Sequence, residues 1–131
     1  MSTAVREVSR KYRWQFSGMV AWLIQRVTGL LLLFYLLLHV HTISRLSQGP
    51  AAFDAAMATF RNPWFKLLEI GLLATVVLHA LNGIRITLLD LGAGVGVERQ
   101  RQLFWAVTIG IGVLVFLAGA IPMFLFGVLK V

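Results

Sequence analysis

Three histidines, His39, His41 and His79, are the side chains of this sequence best suited to chemistry. A neutral imidazole nitrogen can bind a metal or pass a proton. The sequence has no cysteine, which removes disulfides, thiolate-bound zinc, iron–sulfur ligation and a thiol nucleophile. Metal chemistry in this chain therefore runs through imidazole. Other ionisable groups that fall in or at the ends of apolar sequence include Arg26, Lys66, Glu69, Arg85 and Asp90. No nucleophile–base pair stands among them, so the chain alone is not expected to be an enzyme.

The elements that must position these groups follow from composition. Of 131 residues, 59% are hydrophobic and 13% charged, against about 45–50% and about 25% in soluble domains. Such a chain has too much apolar surface to hide in a water-soluble core. That excludes a soluble enzyme, a disordered tail and a nucleic-acid binder as first readings. The net charge of +7 is carried by residues at the ends of apolar runs, as membrane proteins carry it. The expected fold is an all-α membrane protein, one membrane domain over residues 1–131. It has a basic segment at 1–15 and transmembrane helices at 19–43, 64–89 and 103–129. Each run can cross about 30 Å of hydrocarbon at about 1.5 Å per residue, and a lipid-embedded backbone has to bond to itself. Asn62 and Pro63 predict the cap and first residue of the second helix. Pro122 predicts a kink or the last turns of the third.

Lys and Arg set the orientation. Arg6, Arg10, Lys11, Arg13, Arg26, Arg85, Arg99 and Arg101 lie on one side, and Arg45, Arg61, Lys66 and Lys130 on the other. The richer side is cytoplasmic, which places the N-terminus inside. In the outer loop, Phe53, Met57 and Phe60 recur at helical spacing and predict a short interfacial helix. Residues 92–96, GAGVG, predict a flexible turn. It is not a phosphate loop, because no Lys-Ser/Thr follows.

His79 falls near the middle of the second span, and an ionisable residue there suggests function. Gly83, one turn on, leaves room on that face for a flat bulky group. Haem is such a group, and its iron accepts an imidazole nitrogen. The alternative is a buried histidine bonded to another helix. His39 lies near the outer end of the first span, about 15 Å from the level of His79 along the membrane normal. One haem iron cannot bind both, so His39 is either the ligand of a second, outer haem or a satisfied core histidine. His41 points some 200° away from His39 and reads as an interfacial residue. Arg26 is either an anchor snorkelling to the surface or a cation for haem propionates or a quinone carbonyl.

The segment WLIQRVTGLLLLFYLLLHV, followed some forty residues on by HALNGIRITLLD, resembles the cytochrome b membrane-anchor subunit of succinate dehydrogenase, a succinate:quinone oxidoreductase. That family shows H-R-x-[ST]-G opening its first span and H-x-x-x-G-x-R with a following Asp in its second. Here these are Gln25 to Gly29, then His79 to Arg85 with Asp90. The resemblance covers about residues 17–130. It implies a chain in the bacterial cytoplasmic (inner) membrane, anchoring a flavoprotein and an iron–sulfur subunit. With a second membrane-anchor subunit it would hold haem b and form a quinone site. His79 matches the haem ligand, and Arg26 the arginine near the quinone and propionates. Trp22 stands where some members carry a quinone-contacting serine. Gln25 replaces the histidine usual before the arginine, and Ile86 a histidine that some members carry after Gly-Ile-Arg. His39 resembles the outer ligand of di-haem members, which often use menaquinone.

Three other readings compete. A fumarate reductase anchor differs only in the direction of electron flow. A purely structural anchor would carry no haem. A small transporter would need an intramembrane acid, and Glu69, near an outer end, is the one available.

Overall fold

The computed structural model describes the backbone of residues 3–92 and 97–129, and the side chains of 18–92 and 98–129. The turn expected at 92–96 and Lys130 of the outer charge count therefore lie largely outside the described residues, as do the side chains of the basic segment.

The described residues are helical except at Gly49, 60–62 and 91–92, with no strand among them. Helix α1 (Thr3–Ile43) passes through a short 3-10 turn (Ser44–Gln48) and Gly49 into α2 (Pro50–Thr59). Gly49 takes φ of 100°, a conformation that a Cβ would strain. Helix α3 spans Pro63–Asp90. A third helical run joins α4 (Val97–Leu103), a π-helical stretch (Phe104–Ile111), α5 (Gly112–Phe124) and a second π-helical stretch (Leu125–Leu129). Three stretches are long and apolar enough to cross a membrane: Gly18–Gln48, Pro63–Asp90 and Glu98–Leu129.

The expected spans are therefore present, with two extensions. Helix α1 begins far upstream of its apolar run; at 41 residues it is about 62 Å long. The third span starts earlier than position 103, where Glu98 pairs with Arg101 one turn on. An acidic residue in the first turn also suits the helix dipole. At the start of α3, the Asn62 side chain accepts the Trp64 amide at 3.0 Å and Pro63 occupies the first turn. Pro122 lies inside α5, and the backbone continues into the wider turns that follow it.

Helix α3 is the middle of the bundle, packed on one flank by α1 and on the other by α5 and the first π-helical stretch. Small residues permit the close approach, as lipid gives helices little hydrophobic drive to associate. A Cβ on Gly119 of α5 would meet Leu73 Cδ2 at 2.7 Å, and one on Gly112 would meet Leu81 Cδ1 at 3.4 Å. The distribution of polarity is inverted relative to a soluble protein. Thr28, Asn82, Arg85 and Thr108 are buried beside Ala21, Val77, Phe104 and Ala120, while Leu30, Phe34, Leu37, Leu114 and Phe126 are exposed. The apolar exterior faces a solvent that tolerates it, and the polar groups face one another.

Candidate functional site

Among the described residues, all but one of the buried polar groups gather where α1 crosses α3; Thr108 lies on the third helical run. On α1, Ala21, Gln25 and Thr28 recur at four- and three-residue spacing, one stripe of a helix. On α3, His79 and Asn82 occupy the facing stripe. The His79 ring lies against Thr28, Gly29 and Gln25. Its Nδ1 is 3.0 Å from Thr28 Oγ1. Its Nε2 is 3.5 Å from Gln25 Nε2, a long contact. Thr28 Oγ1 also donates to the Ile24 carbonyl at 2.6 Å. Gly29 makes this fit: a Cβ there would stand 3.2 Å from His79 Cε1.

Asn82 is fully buried. Its Nδ2 donates to the Ala21 carbonyl at 2.9 Å and to Gln25 Oε1 at 3.0 Å. Its Oδ1 accepts from Arg85 Nη1 at 3.5 Å. Arg85 is buried too, its guanidinium 5.4 Å from the centre of the Phe104 ring. Arg85 Nε and Thr108 Oγ1 are buried with no hydrogen-bond partner among the described residues. The salt bridges among those residues are Lys66–Glu69 and Glu98–Arg101; Arg85 and Asp90 do not meet.

The other sequence-derived residues sit apart from this cluster. Arg26 and Trp22, one turn apart, are brought together on the exposed side of α1, the guanidinium 4.4 Å from the ring centre. His39 is exposed, its Nδ1 3.3 Å from the Tyr35 hydroxyl. His41 is exposed as well and accepts from Arg45 Nη2 at 3.4 Å. Since His79 lies level with Gly29, ten residues separate its level from His39. That is about 15 Å along α1, the separation expected from depth alone. Gly83 does leave room, but the Gln25 amide occupies it: a Cβ on Gly83 would meet Gln25 Nε2 at 3.6 Å.

Sequence reasoning named Gln25, Thr28 and Gly29 within one motif but did not predict their contacts with His79. The signal was present in the small-and-polar stripe Ala21, Gln25, Thr28 within an otherwise apolar run. The donor set fits a haem ligand: one half-buried imidazole, with Nδ1 firmly partnered and Nε2 loosely so. No group of three or more His, Asp or Glu side chains comes together among the described residues. A haem iron would need only one ligand from such a chain.

Comparison with known proteins identifies the family. The family model for the succinate dehydrogenase/fumarate reductase transmembrane subunit matches residues 1–129. The chain is 38% identical over 90 residues to the succinate dehydrogenase 2 membrane subunit SdhC of Mycobacterium tuberculosis, covering 69% of this chain and 65% of that protein. It is 40% identical over 118 residues to the succinate dehydrogenase hydrophobic membrane anchor subunit of Halobacterium salinarum, covering 88% of each. The corresponding subunit of Archaeoglobus fulgidus is 31% identical over 105 residues, covering 80% of this chain and 87% of that one. With its length matched almost throughout, and its polar cluster built from the two segments that carried the resemblance, this chain belongs to the succinate dehydrogenase/fumarate reductase transmembrane subunit family.

Proposed function

We propose that this chain anchors a succinate dehydrogenase to the membrane, holds haem b through His79 Nε2, and supplies Arg26 and Trp22 to a quinone or propionate contact. The observation that carries the reading is the seat of His79. A lone imidazole in mid-span is clamped at Nδ1 by Thr28 and backed by Gly29, and its Nε2 has only a long contact to give up. A bound haem supplies one-electron chemistry. The chain's own part is to orient the imidazole and to exclude water with the apolar walls of α1 and α3. Arg26 has donors only. Resting on the Trp22 ring, it offers them to an acidic or carbonyl oxygen from whatever covers that exposed face of α1.

The partners follow from this role. A second membrane-anchor subunit would cover the exposed helix faces and supply any further ligand to the haem, since no second histidine of this chain reaches His79. The iron–sulfur and flavoprotein subunits lie at the cytoplasmic face. The excess of Lys and Arg there supports an inward N-terminus, and α2 then lies at the outer surface of a bacterial inner membrane. The exposed His39, about 15 Å from the inner site along α1, supports a second haem and, with it, menaquinone. Fumarate reduction uses the same subunit with the electron flow reversed.

The test is a reduced-minus-oxidised spectrum with pyridine-haem quantification on the purified complex, its His79→Ala variant and its His39→Ala variant. The expected result is two haems, one lost with each histidine. One haem lost with His79 alone makes His39 structural and leaves the inner site standing. A haemless complex sinks the cytochrome reading and leaves an anchor alone.

A further inference from the structure

The polar contacts around His79 run in one direction, and that direction decides which ring nitrogen carries the proton. Arg85 can only donate, so the oxygen of the Asn82 amide is the end that faces it, at 3.5 Å. The Asn82 nitrogen then faces the other way and donates to the Ala21 carbonyl and to Gln25 Oε1. Gln25 is thereby oriented as well: with its oxygen engaged, its Nε2–H points at His79 Nε2. Two donors cannot share that contact, so His79 Nε2 holds a lone pair. The opposite edge of the ring gives the same answer independently. Thr28 spends its hydroxyl proton on the Ile24 carbonyl at 2.6 Å, which leaves Oγ1 to accept from Nδ1–H at 3.0 Å.

We infer that Thr28, Gln25 and Asn82 are positioning residues that hold His79 as its Nδ1–H tautomer and so present the Nε2 lone pair as the haem ligand. The inference rests on the haem reading above and goes beyond it, because it says why this imidazole is ready for iron before iron arrives. The residues act at different stages. Gln25, steered by Asn82, guards the lone pair through a bond long enough to be released. Thr28 stays on Nδ1 after ligation and makes the ring a stronger electron donor, as outer-shell acceptors do for metal-bound histidine.

Two pairs of variants separate these roles, read by haem retention on dilution and by redox titration of the purified complex. Gln25→Glu keeps the shape but turns an acceptor toward Nε2, which favours the Nε2–H tautomer. Haem affinity is expected to fall about 10–100-fold, the range seen when outer-shell partners are lost. Gln25→Leu merely removes the guard and should lose less. Thr28→Val deprives Nδ1–H of its acceptor, and the midpoint potential of the retained haem should rise; Thr28→Ser should restore it. The tautomer inference is overturned if Gln25→Glu keeps haem as well as Gln25→Leu does, or if the potential ignores Thr28→Val. A parent complex without haem, or one that keeps all its haem in His79→Ala, overturns the haem reading itself and the inference with it. The two failures are thus told apart by the parent and His79→Ala samples alone.

Discussion

His79 and His39 sit on apolar helices of one bundle, yet their surroundings differ in kind. His79 is held between α1 and α3, each ring nitrogen facing a group whose own bonding leaves it one role. His39 is exposed and meets one hydroxyl on its own helix, which can donate or accept equally well. His79 is oriented by its own chain, whereas His39 is left to whatever packs against that part of α1. Under the proposed reading, the subunit would orient one ligand within its own fold and offer the other without orienting it. The difference comes from the neighbouring helix: polar and small residues face His79 from α1, while α1 turns Leu36, Leu37 and Val40 outward around His39.

That contrast can be broken from the inner side first. Gly29→Leu puts a bulky side chain where even a Cβ stands 3.2 Å from the ring. The expected outcome is complete loss of the inner haem band, with any outer haem retained, measured by difference spectroscopy at low temperature. A change at both sites would mean that the two halves are not separate. Next comes Gly119→Leu, which drives a side chain into Leu73 on the flank of α3 away from His79. Overpacking of this kind costs about 1–3 kcal/mol. A lowered thermal midpoint of the complex in detergent is expected, with an unchanged inner haem spectrum at low temperature. Tyr35→Phe removes the single polar partner of His39 among the described residues. A net hydrogen bond is worth about 0.5–1.5 kcal/mol, so outer haem affinity should drop by roughly tenfold or less, while the inner haem does not move. The smallest effect is expected for Lys66→Ala. The Lys66–Glu69 pair is one turn apart and about a third exposed, worth about 0.2–0.5 kcal/mol on a helix. Denaturation of the complex should show a shift near the limit of measurement, with no spectral change.

Much of this molecule can be read along the chain, for reasons particular residues make plain. Asn62 and Pro63 announce the start of α3 because capping is a local matter between a side chain and the next two amides. The three spans are legible because lipid asks one simple question of twenty residues at a time. His79 stands out because an ionisable group in mid-span is costly. Which groups touch it is another matter. Gly83 shares its helix face and so looks like its neighbour, but the rotation and depth of α1 bring Gly29 to the ring and Gln25 into the space over Gly83. Those two quantities depend on packing across helices, which no local pattern encodes. The π-helical stretch Phe104–Ile111 was equally hidden, since FWAVTIGI carries no breaker to mark it. The early start of α1 is illegible for a related reason: the basic residues before position 17 contradict a membrane span but not a helix.

That early start has a mechanical side. Residues 3–17 continue the same α-helix that carries Thr28, with no hinge between them. They extend about 22 Å beyond the apolar span. A body fastened to this arm and tilted by water or by its own motion does not merely tug on a tether. It turns a lever whose fulcrum is the crossing of α1 and α3, the place where the imidazole is clamped. A load placed on that arm would reach the crossing through one continuous helix, and would be felt at His79 as a shift in its contacts with Thr28 and Gly29.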